Sequence, residues 1–300
     1  MKIGFCSRVC PEWNLATILC KAGEVGFEGV ELHGLAGEPY LPRVAELAGD
    51  AQATRMRFTE ANVELVCLSS TAKLVTRDRA EAARSRFELE EYIELASALA
   101  CPYVRISAGS VQRGESRQGS LARLAGELSR MATFAAERRV GILVENSADF
   151  PGSADLWYLM DSLSHPAVQA CWNPLTARLA GERPTISIPR LGTRIGLFHV
   201  SDGRFDEDGV LTDFTTPGSG DVELVRAIEL LRGVVYRDYL VFDWPGSSRI
   251  STPAGEILPQ VREFLRRQID AQQEILTAYK GDKNAPRMGM PSTRPIARPV

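Results

Sequence analysis

Short, nearly unbroken apolar runs alternate with amphipathic stretches along most of the chain. Eight runs stand out: Lys2–Phe5, Gly29–His33, Val63–Leu68, Tyr103–Ile106, Val140–Val144, Val168–Trp172, Ile195–Val200 and Asp238–Phe242. A run of about four to eight residues that stays apolar, rather than alternating, predicts a strand buried on both faces. Between these runs the apolar period lengthens to that of a helix. Leu89, Ile93, Ala96 and Ala100 share one face of a helix predicted over Asp78–Ala100. Leu121, Leu124, Leu128, Met131 and Ala135 do so in the next, and Leu224, Ala227, Ile228 and Leu231 in a later one. A shorter helix is predicted over Ala154–Leu163, and a last one over Ala254–Tyr279 with Ile257, Val261, Phe264, Leu265 and Ile269 inward.

Local signals mark the element ends. Asn14 is placed to cap a helix running to about Val25, and Asp221 to cap the helix that follows it. Pro42 suits the first turn of a helix that reaches about Ala61. Ser107–Gly119, Gly181–Gly192 and Asp206–Gly220 are polar, Gly-, Ser- or Pro-containing stretches and are expected to be connections.

Strand then helix recurs about eight times without a break in composition. Eight such units that close on themselves leave no free sheet edge, so the predicted fold is an α/β (β/α)8 TIM barrel. An open doubly wound sheet is the alternative; no GxGxxG turn follows the first strand, which weighs against it. The barrel is expected to fill residues 1–279 as one domain. Residues 280–300 form a Pro-rich, basic tail without a packing period, expected to be extended or to dock on a partner subunit of a homo-oligomer.

Composition narrows the class without changing it. At 44% hydrophobic and 24% charged the chain is an ordinary soluble protein. A net charge of -3 offers no basic excess for nucleic acid. No apolar run approaches a membrane span, and the N-terminus lacks the apolar stretch of a signal peptide. The expected location is cytoplasmic, with neither nucleic acid nor membrane as partner. Cys6, Cys10, Cys20, Cys67, Cys101 and Cys171 do not form a zinc-knuckle spacing and are expected to be reduced. Cys67 and Cys171 lie in strand runs, where free cysteine behaves as a small hydrophobe.

In parallel α/β folds ligands collect at the C-terminal ends of the strands. The seventh run stays apolar and then turns chemical at His199, Ser201 and Asp202. The other strands end in Glu31 and His33, Arg105, Glu145 and Asn146, Asn173, and Asp243. If they converge, Glu145, Asn173, His199 and Asp243 supply two carboxylates, an imidazole and an amide oxygen, which is a divalent-cation site. Oxygen donors suit Mg²⁺ or Mn²⁺, and the imidazole shifts the preference toward Mn²⁺, Co²⁺ or Zn²⁺. The bland alternatives are a Glu145 paired with Arg105, a satisfied buried His199, and an Asn173-Pro174 turn. Glu31, His33, Arg105 and Asp202 are candidate substrate contacts. Trp13, Trp172 and Trp244 offer rings for stacking on a sugar, or else pack the rim.

Taken together these pieces resemble a known family. Lys2-Ile3-Gly4-Phe5, Gly29-Val30-Glu31-Leu32, Val144-Glu145-Asn146, His199-Val200-Ser201-Asp202, Pro217-Gly218-Ser219-Gly220-Asp221-Val222 and Phe242-Asp243-Trp244 occur in the order seen in the sugar-phosphate isomerase/epimerase superfamily, with its xylose-isomerase-like TIM barrel. The resemblance implies one divalent metal held by Glu, Asp, His and Glu from strands five to eight. Glu145 and His199 match that pattern. Asn173 stands where Asp is expected, and Asp243 where the second Glu is expected. It further implies isomerisation, epimerisation or dehydration of a sugar, ketose or inositol-like polyol, with Glu145 and Asp243 moving the proton next to a carbonyl. The alternative is a non-catalytic sugar- or polyol-binding barrel with a degenerate metal site. An endonuclease-IV-like repair enzyme shares the barrel but clusters several zinc ions with many histidines, and this chain has three.

Overall fold

A computed structural model describes residues 1–147, 149–244 and 252–281, with side chains to residue 271. Ten strands follow in chain order: β1 Lys2–Cys6, β2 Gly29–Leu32, β3 Glu64–Ser69, β4 Tyr103–Ser107, β5 Gly141–Glu145, β6 Val168–Trp172, β7 Ile195–Val200, β8 Asp202–Phe205, β9 Leu211–Thr215 and β10 Tyr239–Phe242. Eight of them close into a parallel barrel in the order β1-β10-β7-β6-β5-β4-β3-β2. Helices connect successive strands, so the fold is the expected (β/α)8 barrel. β8 and β9 form a separate antiparallel hairpin beyond the end of β7.

Two apolar layers support the barrel. The larger packs the outer faces of the strands, such as Ile142, Val144, Phe198 and Phe242, against helix faces that carry Leu89, Ile93, Leu128 and Val261. The smaller joins Cys6, Val66, Cys67, Leu143, Cys171, Leu197, Tyr239 and Val241. Side chains two apart on a strand share a face. Leu143 therefore lies below Glu145, Leu197 below His199, and Val241 below Asp243. This apolar floor under the polar strand ends is what keeps water out beneath the site.

Several connections are more ordered than their composition predicts. The helix expected from Pro42 to Ala61 is broken into Leu41–Arg43, Ala45–Ala48 and Ala51–Glu60. Gly49 weakens the helix there, and the Asp50 carboxylate accepts from Ala53 N–H at 2.9 Å to start a new one. Gly181–Gly192 contains the helix Pro184–Leu191, which buries Ile188 and Leu191 behind a first-turn proline. Asp206–Gly220 contains β9. Asp221 is not a helix cap: its carboxylate accepts from Phe205 N–H at 2.8 Å, and the helix starts at Leu224. Asn14 does cap Leu15–Val25, through Thr17 N–H. The tail proposed over 280–300 lies, from residue 282, outside the described residues.

Close approach at the opposite, N-terminal end of the barrel explains a glycine. A Cβ on Gly29 would lie 2.5 Å from both the Tyr239 ring and Val66 Cγ2. Tyr239 cannot swing away freely, because its hydroxyl donates to the Glu28 carbonyl at 3.1 Å. Gly29→Ala is expected to lower stability by about 1–3 kcal/mol, the usual cost of overpacking. An unchanged urea midpoint for that variant contradicts the packing described.

Candidate active site

The strand register assembles the site. Glu145 pairs with Cys171 across β5 and β6, and Val241 with His199 across β10 and β7. Glu31, Arg105, Glu145, His199 and Asp243 all face the same barrel mouth and are all buried. His199 sits at its centre. Its Nε2 lies 2.8 Å from Glu31 Oε2 and its Nδ1 2.9 Å from Glu145 Oε1. Asp243 Oδ2 lies 3.6 Å from the same Nδ1. Arg105 donates from Nε to Glu31 Oε1 at 3.0 Å and from Nη1 to Glu145. Ser69, at the end of β3, donates its hydroxyl to Glu31. Arg8, in the turn after β1, donates to Asp243 Oδ2 at 3.2 Å. Arg8 and Arg105 both reach His33 Nδ1, at 3.4 and 3.3 Å.

The charges in this layer follow from the geometry. Ionised carboxylates only accept hydrogen bonds, so a ring with one at each nitrogen carries two N–H groups. His199 is therefore an imidazolium here. Burial opposes that charge, but Cys171, Glu31, Glu145 and Asp243 around it raise its pKa well above 6.5. Burial likewise penalises Glu31 and Glu145. His199 and Arg105 outweigh it for Glu31, and Arg105 and His199 for Glu145, so both stay ionised well below the usual carboxylate range. Burial pushes the Cys171 thiol up to about 11, against a downward pull from His199. Three carboxylates thus face two guanidiniums and one imidazolium, and the layer is neutral as it stands.

Two atoms of this layer are left over: Asp243 Oδ1 and Arg8 Nε are buried and have no hydrogen-bond partner. Leaving a buried acceptor unsatisfied costs about 1–3 kcal/mol. The same carboxylate approaches, through Oδ2 at 3.6 Å from His199 Nδ1, a group of metal-type donors: a Glu145 oxygen, Cys171 Sγ and a His199 ring nitrogen lie within 4.8 Å of one another. Glu31 on Nε2 fixes the imidazole from behind, as a carboxylate commonly does for a metal-bound histidine. Carboxylate, thiol and imidazole are donor types that suit a divalent cation, and Asp243 lies beside this group without being a member of it.

Not every expected residue reaches this mouth. Asn173 does not join the cluster: its side-chain oxygen accepts from Leu175 N–H at 3.1 Å and caps the helix Pro174–Leu179. Asn146 locks its backbone from both sides, accepting from Asn173 N–H at 2.7 Å and donating to the Asn173 carbonyl at 2.9 Å. Asp202 spends its carboxylate on the backbone N–H groups of Gly203, Gly218, Gly220 and Val222, which anchors the loop beyond the hairpin. That also accounts for Gly220, where a Cβ would meet Asp202 Oδ1 at 2.3 Å. Trp172 is fully buried and, by alternation, faces away from the mouth that Cys171 faces. Trp244 is buried against Phe214 and Phe242, and Trp13 is half-buried against the core. Asp202 thus holds a loop and Trp172 packs the outer layer, away from the mouth where sugar contacts are expected of them.

Three participants escape the strand-end reading: Arg8, Ser69 and Cys171. Ser69 is legible as the first polar residue after Leu68. Arg8 carries a weaker signal, two positions past Cys6 on the inward period. Cys171 is masked by its own hydrophobicity. A cleft of about 270 Å³, lined by Ser7, Arg8, Glu12, His33 and Glu38, opens beside the cluster. A larger one of about 710 Å³ lies at the opposite end of the barrel, around Lys2, Glu28 and Glu64, away from this chemistry.

The family described as "Xylose isomerase-like TIM barrel" matches residues 19–268. No curated protein matches the chain in sequence. Among solved structures, the IolI protein with a bound zinc atom superposes with a TM-score of 0.80 at 15% identity, covering 91% of this chain and 99% of that one. The apo form of 3-keto-D-glucoside 4-epimerase, YcjR, from E. coli gives 0.72 at 16%, covering 90% and 99%. A probable 3-DHS dehydratase, AsbF, from Bacillus anthracis gives 0.71 at 16%, covering 89% and 99%. At these identities the likeness is one of fold.

His33 provides a pH test of the mouth. Burial, then Arg8 and Arg105, lower its pKa from 6.5 to about 4. Between those values the unfolded chain takes up a proton that the folded protein refuses, so stability falls as pH drops through that window. NMR titration should place the His33 pKa near 4, and His33→Asn should flatten this part of the stability profile. A His33 resonance that titrates near 6.5 contradicts the arrangement.

Proposed function

The chain belongs to the xylose isomerase-like TIM barrel family, and on that premise we propose that it is an enzyme that isomerises, epimerises or dehydrates a small carbohydrate or polyol. The reaction is proton transfer next to a carbonyl of a sugar, ketose or inositol-like substrate. The observation that carries this reading is Glu145: a buried carboxylate kept ionised by Arg105 and His199 at the strand ends. Such a group accepts a proton at its oxygen without first losing one. Asp243, held by Arg8 across the same mouth, is the second proton-transfer group. Arg105 supplies fixed positive charge where an enediolate oxygen gains negative charge. Glu31 and Ser69 hold Arg105 and His199 in place, and the apolar floor of Leu143, Leu197 and Val241 keeps water from beneath. His33 and Arg8 border the cleft and contact the substrate.

Glu145, His199 and Asp243 hold one divalent cation in this proposal, which when bound polarises the substrate carbonyl and hydroxyl oxygens. The names of the superposed structures support the substrate class, since an epimerase and a probable dehydratase share the barrel. The six free cysteines support a reducing, cytoplasmic setting. A second reading, a sugar- or polyol-binding barrel without turnover, draws on Arg105, which already pairs with both Glu31 and Glu145.

Incubation with unphosphorylated ketoses and an inosose in D₂O separates the two. An enzyme exchanges the proton next to the carbonyl for deuterium, visible by ¹H NMR. Glu145→Gln should slow that exchange by about 10²-fold or more, the contribution typical of a positioned base. Unchanged exchange in Glu145→Gln overturns its role, and ligand binding without any exchange supports the binding protein.

A further inference from the structure

We propose that the ligand from β6 is the Cys171 thiolate, and that the site therefore selects thiophilic dications such as Zn²⁺ and Co²⁺. This rests on the metal-dependent reading above and deepens it. Three observations carry it. The only donor group of this kind among the described residues is Glu145, Cys171 and His199, mutually within 4.8 Å. Asn173, the other donor on this strand, is committed to capping its own helix and to Asn146. Asp243 Oδ1, buried to 1% exposure and unpartnered, borders the same space through its sister oxygen, 3.6 Å from His199 Nδ1.

Cys171 is placed for this by the strand register. It pairs with Glu145 on β5 and with Leu197, two residues before His199, on β7. Cys6 and Cys67 share the barrel interior but fall outside the donor group. Ligation breaks the Cys171 S–H bond and the His199 Nδ1–H bond heterolytically; both protons leave to solvent, metal–sulfur and metal–nitrogen bonds form, and no group is oxidised or reduced. Charge favours the same donor. With a neutral His199, a thiolate and a dication offset each other's surplus against three carboxylates and two guanidiniums, whereas the neutral Asn173 amide leaves one positive charge over. Thiolate donors favour Zn²⁺ and Co²⁺, while carboxylate, carbonyl and water donors suit Mg²⁺ and Mn²⁺.

Cobalt makes the ligand visible without any turnover. The full-length protein, stripped of metal with a chelator that is then removed, is titrated with Co²⁺ while bound cobalt is counted by equilibrium dialysis. We expect one Co²⁺ per chain, visible ligand-field bands, and a near-ultraviolet sulfur-to-cobalt charge-transfer band. That band should vanish in Cys171→Ser with ligand-field bands retained, and persist in Cys67→Ser. One bound Co²⁺ without the charge-transfer band in the wild type overturns thiolate ligation and leaves the metal site standing. A band that survives in folded Cys171→Ser does the same. No stoichiometric binding of Co²⁺, Zn²⁺ or Mn²⁺ overturns the metal site itself.

Discussion

A buried imidazole held between two buried carboxylates is the interaction on which the barrel mouth depends. His199 lies at 0% exposure with Glu31 and Glu145 on its two nitrogens. No member of this set is stable alone in an apolar surround. Removing one partner from a buried ion pair costs about 3–5 kcal/mol, because the other charge is left uncompensated. Arg105 closes the circuit by joining the two glutamates from the far side. Four strands, β2, β4, β5 and β7, are thereby tied through side chains at the end of the barrel where their backbone pairing stops.

The same constraint sets the chemistry. Full pairing keeps Glu31 and Glu145 ionised in a place where burial alone would protonate them. It also means that Glu145 is shared among Arg105, His199 and any cation or substrate. A base used this way gains ionisation and loses intrinsic basicity, and the cationic neighbours offset that loss only if negative charge builds on the substrate beside them. Asp243 is the exception to the pairing. One of its oxygens takes Arg8, and the other has no protein partner. The mouth is therefore saturated on the Glu31 side and left with an unpartnered acceptor on the Asp243 side.

The barrel was legible because the eight barrel strand runs are largely apolar on both faces and the long helices between them, such as Arg117–Glu137, keep a 3.6-residue period. Glu31, Arg105, Glu145, His199 and Asp243 were legible because strand-end position alone brings them together. Local chemistry hid the remainder. Asn173 has the right position and inward period, yet an Asn before proline at a helix start is consumed by capping. Asp202 has the right position as well, but the backbone N–H groups of Gly203, Gly218, Gly220 and Val222 claim it. Both outcomes depend on where neighbouring loops run, which periodicity does not encode. Cys171 was hidden for the opposite reason: in a strand run it counts as one more apolar residue, and only the register beside Glu145 and His199 makes it a donor. The helix at Pro184–Leu191 and strand β9 were obscured by proline, glycine and charge in segments that tertiary packing nonetheless orders.

The proposed cation site comprises Glu145, His199 and Asp243 at the end of the barrel. Anomalous diffraction at the zinc edge from crystals grown with zinc tests it directly. A single strong peak per chain is expected within about 2.0–2.6 Å of donor atoms from all three residues. A barrel mouth with no peak, in which His199 still bridges Glu31 and Glu145 and Arg8 still holds Asp243, would contradict it.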